Sequence, residues 1–218
     1  MANLAGPVWG PTQTGAPEQL VFLIHGLGAD GSDLISLAPY FAPFLRRALF
    51  LAPNAPFPCD MAPFGRQWFS FRNLDPAALE DGVRHAAPIL EAFIEAELTR
   101  WNLSDYALLG FSQGAMMSLF NGLRSSTIPP RAILAYSGAL LAPRTLAAEA
   151  MHNPPILIAH GEMDNIVPAT RSYEAEDRLR AAGLAVETVY EPELDHSIGE
   201  AGLKAGAALL ARVFRESL

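Results

Sequence analysis

Short apolar runs recur along this chain at residues 19–25, 48–52, 106–111, 132–136, 156–160 and 186–191, and most are separated by longer segments with helical periodicity. No other feature constrains the fold as strongly, because strands that alternate with helical patterns build βα units and a parallel sheet. The runs are apolar at nearly every position instead of every second one, as in central parallel strands covered on both faces. Right-handed crossovers then wind helices onto both sides of the sheet. Helices are expected at 76–101, 113–123, 168–182 and 198–214, with a shorter one after Ser32 and a kink at Pro88. The expected fold class is therefore α/β, a mostly parallel, doubly wound sheet. Hydrophobic residues make up 50% of the chain and charged residues only 17%, against about 25% charged in an average soluble protein. That much apolar side chain needs a large core, and 218 residues fit one compact domain, 1–218.

The charge balance excludes several partners. Fifteen Lys and Arg against 23 Asp and Glu leave a net charge of −8, which repels phosphate backbones and anionic headgroups. Nucleic acid is not an expected partner, and stable membrane insertion is not expected either. The longest late apolar stretch, 201–214, carries Lys204 and Arg212 and is too short to span a bilayer. Cys59 is the only cysteine, so no intrachain disulfide forms and a reducing compartment is the default. The first 20 residues lack a basic start and a continuous apolar run, so no signal peptide is read and the expected location is cytoplasmic. No interface is specified, and a homodimer through exposed apolar surface stays open.

Gly26, Gly28 and Gly31 follow the first apolar run with the GxGxxG spacing of a dinucleotide site. That reading fails on its second requirement, an acidic residue about 20 positions further on for the ribose, since 34–59 contain no Asp or Glu. Asp30, Gly31 and Ser32 also form a turn and cap, so no helix opens at the second glycine.

A stronger signal is Gly110-Phe111-Ser112-Gln113-Gly114, which stands between the apolar run YALLGF and the helical segment AMMSLFNGL. This is the strand-turn-helix setting of a nucleophile elbow, in which the glycines admit a strained turn and the serine projects from the carboxyl edge of the sheet. A serine hydroxyl needs a base, and the base needs a group to orient it. Where such an elbow occurs, the partners follow in the order acid and then histidine, each on a loop after a strand. Asp164 follows ILIAHG and His196 follows VETVYE. Glu162 competes with Asp164, but it directly follows Gly161 at the end of the run and has less reach across the sheet edge. Asp195 adjoins His196 and reads as an exposed turn acid. His25 and His160 each end an apolar run before a glycine and read as packed or hydrogen-bonded histidines near the site; His85 and His152 read as solvated. No HxxxH, HExxH or paired-cysteine spacing occurs, so no metal site is expected. The oxyanion donors expected are the backbone N–H groups of Gln113, after the nucleophile, and Leu27, in the glycine-rich first loop.

Residues 53–75 are rich in proline and aromatic side chains and lack periodicity, so a long functional loop is expected there. Phe57, Met61, Phe64, Trp68 and Phe71 in it, with Phe111 and Met163 beside the catalytic candidates, are candidates to line an acyl pocket or to pack the loop onto the core. Cys59 has no basic sequence neighbour and is assigned no catalysis.

These segments resemble the phospholipase/carboxylesterase family of α/β hydrolases, which includes acyl-protein thioesterases and small bacterial carboxylesterases. FLIHGLGADGSD is similar to the family's first-strand motif, APNAPF with RQWFSF to its second-strand and aromatic-loop motif, LLGFSQGA to its elbow, HGEMDNIVP to its acid loop and DHSI to its histidine loop. Ala115 departs from the glycine that often follows GFSQG, and Asp195 from the glycine that commonly precedes the histidine. The resemblance covers nearly the whole chain. It implies an α/β-hydrolase fold, Ser112 as nucleophile, Asp164 as orienting acid, His196 as base, Leu27 and Gln113 as oxyanion donors, and no cofactor. The expected activity is a serine carboxylesterase acting on a small-molecule ester or thioester with a short-to-medium acyl group. A lysophospholipase or acyl-protein thioesterase for long chains is the next reading, and a non-catalytic binding protein of the same fold the third.

Overall fold

The computed structural model describes residues 4–126 and 128–215. The chain begins with β1 (Val8–Trp9), β2 (Gln19–Ile24), α1 (Gly31–Leu34), a 3-10 turn (Ile35–Leu37), α2 (Ala38–Phe41) and β3 (Ala48–Leu51). It continues through β4 (Phe57–Pro58), β5 (Arg66–Gln67), α3 (Pro76–Trp101), β6 (Tyr106–Phe111), α4 (Gln113–Arg124) and β7 (Ala132–Tyr136). The last elements are α5 (Leu146–Glu149), β8 (Ile156–Gly161), α6 (Thr170–Ala181), β9 (Val186–Glu191) and α7 (Glu200–Arg215).

Among the described residues, seven strands form one sheet in the order β1-β3-β2-β6-β7-β8-β9. Only β1 is antiparallel to its neighbour; the other pairings are parallel. The chain winds outward from β2 to β3, then returns to β6 on the other side of β2 and winds away through β7 to β9. This reversal opens a crevice outside the carboxyl ends of β2 and β6, where open α/β sheets place their ligands. The expected mostly parallel, doubly wound α/β sheet is the one observed.

The period-two alternation of each strand divides the core into layers. Leu20, Phe22 and Ile24 of β2 point to one face, against Val83, Leu90, Ile94 and Leu98 of α3 and Met117 of α4. Val21 and Leu23 point to the other, with Phe50, Leu109, Phe41 of α2 and Leu209, Leu210 and Phe214 of α7. Each such side chain taken fully out of water stabilises the fold by about 1.5–3 kcal/mol. Helix α4 is buried along its whole length from Gln113 to Leu123, so the elbow that begins it is held on all sides.

The structure differs from the sequence expectation in places that have a physical cause. Helix α3 spans the expected residues, with Pro88 inside it on the exposed side. It starts at Pro76, a residue suited to the first helical position, and ends at Asn102 in the left-handed conformation, φ 53°. The segment 53–75 is not structureless: β4 and β5 pair as a two-stranded ribbon within it. Strands of two residues, such as β1, β4 and β5, carry no periodicity from which they could be read.

Three elements are tied together by one ionic cluster. Glu149 of α5 accepts from Arg84 of α3 at 2.9 Å and from Arg124 of α4 at 2.9 Å. Loss of water around Glu149 would raise its pKa, but hydrogen bonds from Thr145, Arg124 and Arg84 outweigh this and hold it at about 2, against an ordinary 4.5. A depressed folded-state pKa means stability present above pH 4.5 and lost as the pH falls through about 2. A third of the side chain faces solvent, so screening trims the effect. The excess thermal stability of the wild-type protein over Glu149→Gln should therefore narrow between pH 4.5 and pH 2. Melting curves of the two proteins across that window check it, and a constant gap would show that the carboxylate charge contributes nothing.

Candidate active site

The carboxyl ends of β2, β6, β8 and β9 each lead into a loop, and these loops carry the candidate residues. Ser112 stands between β6 and α4 with φ 55° and ψ −119°, a conformation costly for any residue with a side chain. Two glycines make the turn possible. A Cβ on Gly110 would strike the carbonyl oxygen of Gly114, and one on Gly114 would strike that of Ile24 in β2. The turn is thus pressed between its own helix and the neighbouring strand, which projects the Ser112 side chain at the sheet edge.

The histidine loop brings His196 to this serine. The Ser112 hydroxyl donates to His196 Nε2 at 3.0 Å, and His196 Nδ1 donates to Asp164 Oδ2 at 2.6 Å. Asp164 is buried, and its Oδ1 accepts from the backbone N–H groups of Ile166, at 2.9 Å, and Val167, at 2.8 Å. Burial alone would raise its pKa; the bonds from His196, Val167 and Ile166 reverse that and hold it below the ordinary 3.8. A carboxylate so held stays ionised beneath the imidazole. The loops that carry the two groups are fastened together, with the N–H of Met163 donating to Leu194 at 2.9 Å and that of Glu162 to Glu191 at 2.9 Å. Asp164 and His196 therefore move as one body.

The glycine-rich loop after β2 forms the other wall. A Cβ on Gly26 would lie 3.2 Å from the Cβ of Ser112, a tight approach that any larger residue would press against the nucleophile. The Gly28 N–H donates to Arg66 at 2.8 Å, and the Arg66 N–H to Ala29 at 2.9 Å. Neither the N–H of Leu27 nor that of Gln113 makes a hydrogen bond among the described residues. Gln113 is the first residue of α4, where a backbone donor has no partner within the helix. Asp30 caps α1 by accepting from the Ser32 N–H at 2.7 Å, and the Gly31 N–H donates to Asn54 at 2.8 Å. The GxGxxG spacing thus serves a turn packed on the second loop.

The structure places the remaining candidates unevenly. Phe111 lies against the His196 ring, 4.9 Å between centroids. Met61, Phe64 and Met163 are exposed. Phe71 packs on Phe69 at the edge of the first core layer, and Phe57 stacks on His85 of α3. Trp68 is a correction: it is wholly buried and its indole N–H donates to the His25 carbonyl at 3.0 Å, so it fills the core and lines no open pocket. The competing acids stand apart. Glu162 accepts from the Tyr173 hydroxyl, and exposed Asp195 accepts from that of Ser197. No group of three or more His, Cys, Asp or Glu among the described residues is placed to hold a metal ion.

Sequence reasoning did not find the side-chain role of Gln113. Its Oε1 accepts from the Trp68 N–H and its Nε2 donates to the Phe69 carbonyl, both at 2.8 Å. A polar residue opening a helix with a mostly apolar first half was the available signal. His25 makes a parallel link: its Nδ1 donates to the Gly26 carbonyl at 2.7 Å and its Nε2 accepts from the Ala55 N–H at 2.9 Å. Burial pushes its pKa down, which keeps it neutral and able to do both.

Comparison with known proteins identifies the family of the chain. The phospholipase/carboxylesterase family model matches residues 12–212. Esterase YpfH of Escherichia coli K12 is 27% identical over 187 residues, covering 83% of this chain and 77% of that protein. Acyl-protein thioesterase 1 of Schizosaccharomyces pombe is 33% identical over 163 residues, covering 70% of this chain and 71% of that protein. The crystal structure of esterase PE8 superposes with a TM-score of 0.91 at 37% identity, covering 97% of this chain and 99% of that one.

Replacing Gln113 with Ala strands two buried backbone groups, each at a cost of about 1–3 kcal/mol. For a chain of this length each kcal/mol lowers Tm by about 2–4 °C. Gln113→Ala should therefore melt several degrees lower and exchange the Trp68 amide faster than wild type. An unchanged exchange rate at Trp68 would show that the side chain does not hold the loop.

Proposed function

Because the chain belongs to the phospholipase/carboxylesterase family of α/β hydrolases, we propose that its 218 residues act as one catalytic domain that hydrolyses carboxylic esters and thioesters through an acyl-enzyme on Ser112. The observation that carries this reading is the continuous relay from Ser112 through His196 to Asp164, with bonds of 3.0 and 2.6 Å. His196 Nε2 takes the serine proton as Oγ attacks the substrate carbonyl, and Asp164 stabilises the imidazolium that forms. The developing oxyanion is met by the N–H groups of Leu27 and Gln113, the removal of either being worth about 3–4 kcal/mol of barrier. Collapse expels the alcohol or thiol, which receives the proton from His196. Water then gives its proton to His196 and attacks the acyl-serine; as the acyl–Oγ bond breaks, His196 returns the proton to Ser112 Oγ, and loss of the acid restores the site. These steps call on no metal or organic cofactor.

Substrate choice rests with the apolar side chains around the serine. Gln113 draws Trp68 and Phe69 into the core, which leaves Met61, Phe64, Phe111 and Met163 as the side chains available to an acyl group. Most of these are exposed, and an open apolar rim supports one side of a short-to-medium chain without enclosing a long one. The second reading, a long-chain acyl-protein thioesterase, is favoured by the likeness to the Schizosaccharomyces pombe protein of that name. Every residue assigned comes from one chain, so the site needs no second copy. No helix among the described residues is long and apolar enough to cross a membrane, and the lone Cys59 fits action in the reducing cytoplasm.

Labelling with a fluorophosphonate followed by peptide mapping should place the adduct on Ser112, and Ser112→Ala should neither label nor turn over p-nitrophenyl butyrate. Asp164→Asn should lower kcat by about 10⁴-fold, since the amide imposes the wrong imidazole tautomer. Adduct on another residue of the folded protein would overturn the assignment. Rates along a series of p-nitrophenyl esters from acetate to palmitate separate the two chain-length readings.

A further inference from the structure

A second imidazole touches the Asp164 carboxylate from the side opposite catalysis. His160, at the end of β8, has a wholly buried side chain whose Nε2 lies 3.1 Å from Asp164 Oδ2, the same oxygen that receives His196. Nε2 also lies 2.8 Å from the Val167 carbonyl, and Nδ1 lies 2.6 Å from Ser172 Oγ of α6. A carbonyl only accepts, so the proton sits on Nε2 and is directed to Val167, with Asp164 Oδ2 3.1 Å from the same nitrogen, while Nδ1 accepts from the Ser172 hydroxyl. The network closes on itself, because the Val167 N–H donates to the other carboxylate oxygen.

We propose that His160 is a positioning residue of this site: through its Nε2–H it fixes Asp164 Oδ2 under His196 and tempers how strongly that oxygen holds the His196 proton. The proposal rests on the catalytic reading above and deepens it. Charge explains why the group is an imidazole. Burial pushes the His160 pKa down, the Val167 carbonyl and Asp164 oppose this to a smaller extent, and His196 adds to the lowering. The ring is therefore neutral and sets the positive end of its Nε2–H dipole 3.1 Å from the carboxylate without bringing a cation next to a base that must itself become positive. Asp164 and His196 are the titratable groups acting on it; Ser172, Val167 and the Gly138 carbonyl near Ser172 contribute only neutral contacts.

The sign of the effect follows from the polarised Nε2–H beside Oδ2. Without the Nε2–H, Oδ2 is more basic and holds the His196 imidazolium to higher pH. The acid limb of kcat/KM, which requires neutral His196, moves upward. A carboxylate freed on one side also loses alignment, and small misplacements of a catalytic group cost up to about a hundredfold in rate.

The test is the pH profile of p-nitrophenyl butyrate hydrolysis by wild type, His160→Leu, His160→Gln and Ser172→Ala, with thermal melts of each. His160→Leu should lower kcat by about tenfold to a hundredfold with little change in KM, and should shift the acid limb upward. His160→Gln, whose amide N–H replaces the Nε2 donor, should restore the wild-type limb. A folded His160→Leu with an unmoved limb, or a His160→Gln shifted as far as His160→Leu, overturns the proposal. If His160→Leu does not fold, Ser172→Ala decides: it keeps the imidazole but removes the hydroxyl that orients it, so an upward shift supports the role and an unmoved limb overturns it. An inactive wild-type protein, or labelling away from Ser112, would instead overturn the catalytic reading on which the proposal rests.

Discussion

The turn at Ser112 is the constraint from which the rest of the site follows. A residue with a side chain at φ 55° and ψ −119° is strained by about 1–3 kcal/mol, and it stays there only if its surroundings leave no alternative. Strand β6 enters the turn from the middle of the sheet, paired on both sides. Helix α4 leaves it buried from its first turn to its last. Gly110 and Gly114 then let the turn approach its own helix and β2 more closely than any Cβ would allow, and Gly26 brings the first loop close to Ser112. The large apolar fraction of the chain, which first pointed to a sheet covered on both faces, is what fixes this local strain in place.

From that turn, polar contacts spread outward to loops that would otherwise lack fixed positions. Gln113 contributes a backbone N–H toward the substrate side and spends its side chain on Trp68 and Phe69. The ribbon β4–β5 is pinned from the other end, where Arg66 exchanges backbone bonds with Gly28 and Ala29 and its guanidinium donates to Ala55 and Pro56. The first loop and the aromatic loop therefore form one wall, and the acid and histidine loops form the other. Ser112 lies between two bodies, each rigid within itself, and preorganisation of this kind is what electrostatic stabilisation of an oxyanion requires.

The sheet and the relay were legible in the sequence for one reason: both are set by elements long enough to show a pattern. Strands β2, β6, β7 and β8 are continuous apolar runs and β9 is a mixed one, and a residue following a strand lies at the carboxyl edge of the sheet, which brought Ser112, Asp164 and His196 forward as candidates. The role of Trp68 could not be decided from sequence because an aromatic side chain in a loop serves equally as a pocket wall or as core, and its burial goes with a hydrogen bond to His25, 43 residues away. The ribbon was missed because two-residue strands have no period. The link from His160 to Asp164 spans four residues, yet whether a histidine at a strand end faces the site or the core depends on how the next loop folds back, through Val167 and α6. Composition and spacing do not encode that.

His25 and His160 solve the same problem on the two walls. Each holds two loops together in a place where no water is available to satisfy a stray polar atom, and each does so by donating from one ring nitrogen and accepting at the other. A lysine or arginine there has no acceptor, and a carboxylate has no donor when ionised. Either would also place a fixed charge near His196, whose work is to gain and lose a proton: a cation would make the imidazolium harder to form, and an anion would hold it too long. Burial keeps both auxiliary rings neutral, so neither adds a charge to the site. The two histidines brace the site without adding a charge of their own to the proton transfer they support.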